Sequence, residues 1–214
     1  MSIKHGLLAL LDAGPMYGYQ LRAEFESRTG ATWPLNVGQV YTTLARLERD
    51  DLIASAGTDD EGHVMYAVTE SGSAEVAAWF ASPVARNQPP RDELAIKLAL
   101  AVTVPGVDVP AVIQAQRTAT IGALQDYTRL KRTATERLED SDDPRADLAW
   151  SLVLDSLIFA AEAEVRWLDH CEARLARVAS TRTAAAQAAA SQAAASQASE
   201  PPAPVPTPSR KVRR

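Results

Sequence analysis

The sequence predicts a mainly α-helical chain: an N-terminal winged helix-turn-helix with a two-stranded wing, an all-helical dimerisation domain and a disordered tail. Three observations carry this. Over residues 1–83 the hydrophobic pattern runs helix–helix–helix–strand–strand–helix, the element order of a winged helix. The stretch "SPVARNQPP" at 82–90 then breaks the pattern, and three longer helical patterns follow over 91–178. Residues 179–214 are Ala/Gln-rich and then Pro-rich, with no aromatic residue, so they cannot bury enough surface to offset chain entropy.

In order, residues 3–13 place Ile3, Leu7, Leu8 and Leu11 at helical spacing, and "GPM" stops the helix because proline cannot continue the hydrogen-bond ladder. A second helix over 17–29 carries Tyr17, Leu21 and Phe25 four apart and ends at Gly30. Asn36 is suited to cap the third helix, which lies in "VGQVYTTLARLERDDLI" at 37–53. "LIASAG" and "HVMYAVT" alternate as strands about the turn "TDDEG". Thr69 caps a fourth helix over 70–81 whose Val76, Trp79 and Phe80 are assigned to the core. The later helices span 91–103, 110–140 and 145–178. The second has an imperfect stripe of Ile113, Ile121, Leu124, Tyr127, Ala134 and Leu138. In the third, residues from Leu148 and Leu152 through Phe159 to Leu175 are apolar on more than one face, as expected of a helix that touches both its own chain and a partner.

Charge argues against diffuse nucleic-acid binding. Residues 1–90 hold six Lys/Arg and eleven Asp/Glu, residues 91–178 eleven and fifteen, and residues 179–214 five and one. Any phosphate contact must therefore come from a local patch. The single cysteine, Cys171, excludes a disulfide framework and a Cys-based zinc cluster, and reads as a small buried hydrophobe. No run reaches the apolar length of a membrane span, and the N-terminus makes a poor signal peptide, so a soluble, intracellular (cytoplasmic) protein is expected. No Gly-rich phosphate loop, nucleophile elbow or HExxH occurs, so neither enzyme activity nor a cofactor or metal is expected.

The third helix holds the candidate reading surface. At about 100° per residue, Leu44 and Leu47 fall within about 40° of Val40 and form the buried stripe. Gln39, Thr42, Arg46 and Arg49 fall opposite, with Tyr41 at the margin. Gln can pair with adenine, Arg with guanine, and a Thr methyl can meet a thymine methyl. Gln39, Thr42 and Arg46 are thus the candidate base contacts, and Tyr41, Arg49 and Lys4 the candidate backbone contacts. The alternative is that this is only the solvated side of an amphipathic helix. Arg22 and Arg28 are further candidate phosphate contacts of the same region.

"HGLLALLDAGPMYGYQL", "GQVYTTLARLERDDLI" and "MYAVTESG" closely resemble the PadR family of bacterial transcriptional regulators. The family pattern is a GYxL element, here Gly18 to Leu21; a G-x-(I/V)-Y-x-x-L-x-x-L-E helix, here Gly38 to Glu48; and a Y-x-(L/V)-T-x-x-G junction, here Tyr66 to Gly72. "RDELAIKLAL" at 91–100 looks like the start of the helical C-terminal domain of its longer members. The resemblance implies a homodimeric repressor that binds double-stranded DNA at an inverted repeat and is often released by a small-molecule effector. It also implies a dimerising last helix, where Trp150 and Trp167 could pack the interface or hold a flat ligand.

Two departures from the pattern stand out. Asp51 occupies the place of the family's usual glycine, and aspartate tolerates the left-handed conformation better than most residues. The wing reads "TDDEGHVMY" where relatives carry Arg or Lys, so Asp59, Asp60 and Glu61 oppose phosphates and only His63 could help. This wing is expected either to contribute little affinity or to sit away from the DNA backbone. The basic end "RKVRR" is either a solvated tail or a non-specific DNA-clinging arm. The rival reading of the whole chain is a winged-helix protein-interaction or ligand-sensing module that has lost DNA affinity, which the acidic balance of residues 1–90 favours.

Overall fold

The computed structural model describes residues 3–84, 92–138 and 143–198. They form α1 (Ile3–Asp12), α2 (Gly18–Arg28), α3 (Val37–Arg49), β1 (Ile53–Thr58), β2 (Val64–Val68), α4 (Glu70–Ala81), α5 (Glu93–Ala101), α6 (Val109–Leu138) and α7 (Pro144–Ala198). This is a winged-helix order followed by helices, as the periodicity predicts. By contact the chain divides into two compact units, Met1–Val165 and Arg166–Arg214.

In the first unit, Leu7, Leu8 and Leu11 of α1 meet Leu21 of α2, Val40, Leu44 and Leu47 of α3 and Ile53 of β1, all at most 1% exposed. Each such side chain contributes roughly 1.5–3 kcal/mol of burial before entropy is counted. The antiparallel wing pairs Ile53 with Val68 and Ser55 with Tyr66. A bulge between Ser55 and Thr58 shifts the register, with Gly57 in the left-handed region at φ +96°. The "GPM" segment does more than stop α1. Met16 exchanges backbone hydrogen bonds with Tyr66 at 3.1 and 3.0 Å, which pins the wing's base to the helical layer.

The junction into α4 explains the residues after α3. Asp51 takes φ +57°, as expected at the glycine position, and its carbonyl accepts from the hydroxyls of Thr69 (2.8 Å) and Ser71 (2.6 Å). Thr69 also caps α4 by accepting from the Gly72 N–H. A methyl on Gly72 would lie 2.0 Å from the Leu52 carbonyl oxygen, so this close crossing requires glycine.

Several assignments differ from the sequence reading. Val76 is buried, but Trp79 is partly exposed and Phe80 is 70% exposed, so neither aromatic is core. Trp79 instead stacks on His5 of α1 at 5.5 Å, and Phe80 leans on Trp79. On α6, Ile113 and Ala134 are buried whereas Ile121 faces out, and Thr120 takes an inner position because it hydrogen-bonds there. The side chain of Leu138 and most of the 82–90 linker lie outside the described residues.

On α7, Leu154 and Ala161 are buried, while Leu148, Leu152 and Phe159 are between 53% and 65% exposed, which gives the two apolar faces expected. The second unit continues α7. Leu168 is buried, Trp167, Cys171 and Leu175 are half-buried, and the side chains from Val178 to Gln192 are exposed. The helix runs on to Ala198 rather than ending near 178. The Ala-rich stretch supplies the reason: alanine is the strongest helix former, although this sequence has no apolar stripe to bury. The "RKVRR" end lies outside the described residues. Among the described residues no helix is long and apolar enough to cross a membrane.

Candidate nucleic-acid interface

Helix α3 is held at its start by a capping box. Asn36 Oδ1 accepts from the Gly38 N–H at 2.9 Å, and Gln39 Oε1 accepts from the Asn36 N–H at 3.2 Å. With Val40, Leu44 and Leu47 inward, Gln39, Tyr41, Thr42, Arg46 and Arg49 are all exposed, so the predicted division of the helix holds. An open groove beside it is lined by Lys4 of α1 together with Gln39, Thr42, Thr43, Arg46 and Asp50. Five of the predicted residues are thus on one helix and Lys4 is beside it. Thr43 belongs to the same surface although the sequence reading passed over it.

Their engagement differs, and that sets what each can do. Arg46 has no acidic partner among the described residues, so its guanidinium is available to a base edge or a phosphate. Arg49 donates through Nε and Nη2 to Oδ1 of its neighbour Asp50, at 3.2 and 3.1 Å. Lys4 stands 4.0 Å from Glu75. Exposed pairs of this kind contribute about 0–1 kcal/mol, little enough for a phosphate to displace. Arg22 and Arg28 pair with Glu26 and Glu24 on their own helix. Glu26 also accepts from the Leu35 N–H, and the Arg22 hydrogen bond, followed by that N–H, holds its carboxyl below the usual range. That pair braces the loop into α3.

Two side chains are already partly spent. Gln39 Oε1 is committed to the cap, which leaves its amide NH2 as the outward donor. The Thr42 hydroxyl donates to the Gly38 carbonyl at 2.7 Å, which leaves its methyl and oxygen lone pairs for a partner. Tyr41, 48% exposed, is fixed differently: its ring lies against Gly18, where an added Cβ would come within 2.8 Å of it. The glycine of the GYxL element is therefore the seat of the tyrosine of the α3 motif. Tyr66 is close enough that burial first, then Glu48 and Tyr41, raise its phenol above the ordinary value.

The wing is organised by its own acids. Asp59 Oδ1 accepts from the Glu61 and His63 N–H groups at 3.0 and 2.8 Å, and Asp59 Oδ2 lies 2.9 Å from His63 Nδ1. The His63 N–H bond, more than the other contacts, lowers the Asp59 carboxyl. The His63 ring stacks on Tyr17 at 4.5 Å. His63 is thus engaged by Asp59 and Tyr17, whereas Asp60 and Glu61 stay exposed.

Trp150, assigned from sequence to a ligand or dimer surface, packs within its own chain. A Cβ added to Gly30 would fall 2.2 Å from its ring, so Trp150 covers the backbone that leads from α2 towards α3. Trp167 is half-buried in the second unit.

Three packed helices, a hairpin and an outward polar third helix define a winged-helix module of the DNA-binding type. Residues 7–78 match the transcriptional regulator PadR-like family, and residues 90–176 match the virulence activator alpha C-terminal family. The probable transcriptional regulator Rv1176c of Mycobacterium tuberculosis (strain ATCC 25618 / H37Rv) is 29% identical over 182 residues, covering 79% of this chain and 95% of that one. Bacillus subtilis PadR in complex with operator DNA superposes with a TM-score of 0.63 at 22% identity, covering 80% of this chain and 97% of that one. The same protein with p-coumaric acid gives 0.61 at 22% identity, with the same coverage of 80% and 97%. The Vibrio cholerae virulence activator AphA gives 0.61 at 21% identity, covering 83% of this chain and 99% of that one. The N-terminal module is thus similar to the PadR-like family of transcriptional regulators, and the helical region after it to the C-terminal part of the virulence activators.

Proposed function

We propose that this chain is a homodimeric repressor that binds an inverted-repeat operator through α3 and is released by a small-molecule effector. Residues 1–83 form the DNA-binding domain, 91–178 the dimerisation and effector domain, and 179–214 a tail with a basic end. The matched spans 7–78 and 90–176 support this division. The observation that carries the reading is the state of Arg46: exposed, without an acidic partner among the described residues, and on one groove with Gln39, Thr42 and Lys4.

Arg46, Thr42 and Gln39 contact bases, with Gln39 donating through its free NH2. Tyr41, Arg49 and Lys4 contact the backbone, and His63 serves the wing by shaping it. Leu148, Leu152 and Phe159 seat the second copy, and Trp167 adds to that interface or to a ligand site. Two-fold related α3 helices then enter successive major grooves about 34–36 Å apart. The structural relatives bound to operator DNA and to p-coumaric acid support the DNA and effector parts of this reading. The protein acts in the cytoplasm.

The test is a titration of the protein against the DNA upstream of its own gene at two salt concentrations. Specific, salt-sensitive binding is expected, and Arg46→Ala should cost about 1–3 kcal/mol and relax one operator position. Absence of binding by the wild-type chain at low salt overturns the repressor reading in favour of a protein-interaction module.

A further inference from the structure

Between α6 and α7, within the first unit, lies a groove of about 380 Å³ lined by Gln116, Thr120, Tyr127, Leu157, Ala160 and Glu164 among others. Its size falls in the range of small-molecule sites, roughly 300–1,000 Å³. Alanines on both helices leave the space open, and Tyr127 and Leu157 supply an aromatic and an aliphatic wall.

The polar content of the groove is unbalanced. Gln116 Nε2 and the Thr120 hydroxyl both donate to Glu164 Oε1, at 2.8 and 2.5 Å. Thr120 is 6% exposed and Glu164 is half-buried, so this carboxylate is held in place rather than free to swing. Its second oxygen accepts nothing among the described residues, and no Lys, Arg or His lines the groove. A partly desolvated carboxylate without a cation is costly, and a ligand that brings the missing positive charge gains both ion pairing and hydrogen bonding.

We propose that this groove binds a small organic cation, an amine carried on a single aromatic ring, with the ammonium on Glu164 and the ring between Tyr127 and Leu157. The proposal deepens the effector-responsive reading above and rests on it for its regulatory meaning. A carboxylate ligand is disfavoured here because Glu164 would repel it.

A second copy of the chain is the other occupant to consider, and helix geometry sends it elsewhere. With Leu154 at zero and about 100° per residue, Leu157, Ala160 and Glu164 fall between about −60° and −120°. Leu148, Leu152 and Phe159, the exposed apolar stripe, fall between about +120° and +160°. The stripe that calls for a partner and the groove that calls for a cation thus lie on opposite flanks of the α6–α7 seam.

The experiment uses the full chain and two probes matched in ring and spacer but opposite in charge, 2-phenylethylamine and 3-phenylpropionate. Calorimetry and thermal shift on the protein alone should show the amine binding and the acid not binding. Glu164→Gln keeps the acceptor for Gln116 and Thr120 but removes the charge, and should weaken the amine about tenfold or more, which is at least 1.4 kcal/mol. Ala160→Leu fills the groove without touching the carboxylate and should abolish binding while the protein still melts cooperatively.

Equal binding of both probes, no binding of the amine at millimolar concentration, or amine affinity unchanged in Glu164→Gln overturns the proposal. A weakened dimer in Ala160→Leu, without amine binding to the wild type, overturns it in favour of the second copy. Operator titration of the same preparations runs in parallel: DNA binding without amine binding refutes this site alone and leaves the repressor reading standing.

Discussion

Gly72→Ala tests whether the crossing of α4 over the end of α3 is as tight as the structure makes it. The new Cβ would lie 2.0 Å from the Leu52 carbonyl oxygen, 3.0 Å from its carbon and 2.7 Å from Val68 Cγ2, whereas ordinary contact begins near 3.4 Å. The nearest atom is backbone, so a rotamer change cannot relieve the clash, and the first turn of α4 must move by more than an ångström. That shift strains the Thr69 N–H bond to the Leu52 carbonyl (3.1 Å) and the two hydroxyl bonds on the Asp51 carbonyl.

Overpacking costs typically 1–3 kcal/mol and each lost hydrogen bond about 1 kcal/mol. Alanine returns up to about 1 kcal/mol of helix propensity, for a net loss of roughly 2–4 kcal/mol. At about 2–4 °C per kcal/mol for a domain of 150–250 residues, the melting temperature should fall by roughly 5–15 °C. Circular dichroism melts at one fixed protein concentration measure this. Gly122→Ala is the matched control: Gly122 lies in α6 with nothing within 4 Å of its added Cβ. It should gain up to about 1 kcal/mol. A Gly72→Ala protein that melts with the wild type, or a Gly122→Ala protein that loses as much, would refute the reasoning.

Asp59 builds the wing turn, while Asp60 and Glu61 mainly add charge, Glu61 standing 3.7 Å from a His63 ring that Asp59 already holds. Replacing Asp60 and Glu61 by Ser should therefore leave operator affinity unchanged or raise it, and weaker binding would contradict that division. Glu26 gives a pH prediction. Its carboxyl is lowered in the folded state by Arg22 and the Leu35 N–H, so its stabilisation is complete above the ordinary value of 4.5 and is lost as pH falls through the lowered one. The urea midpoint of the wild type should drop from pH 5 to pH 3 by more than that of Glu26→Gln. Equal drops would remove Glu26 from the account.

Much of the reading surface was legible because it lies on one helix. A single period of 3.6 residues puts Val40, Leu44 and Leu47 on one side and Gln39, Thr42 and Arg46 on the other, whatever the rest of the chain does. The capping role of Gln39 was also legible in principle, since Asn36-x-x-Gln39 has the capping-box spacing. The core assignment of Trp79 and Phe80 failed for a related reason. Periodicity tells which residues share a face but not how wide a neighbour covers it, and α1 covers Val76 while offering Trp79 only the edge formed by His5.

The sequence by itself determined the element order, the α3 stripe, the Thr69 and Asn36 caps and the left-handed Asp51, because each depends on residues a few positions apart. Tertiary structure alone decided which cations are free, what His63 touches and where Trp150 rests. Trp150 meets Gly30, and Glu164 meets Thr120, across separations that no local period encodes. Such contacts arise only when the core fixes the helices, and they decide which polar groups remain available to DNA or to a ligand.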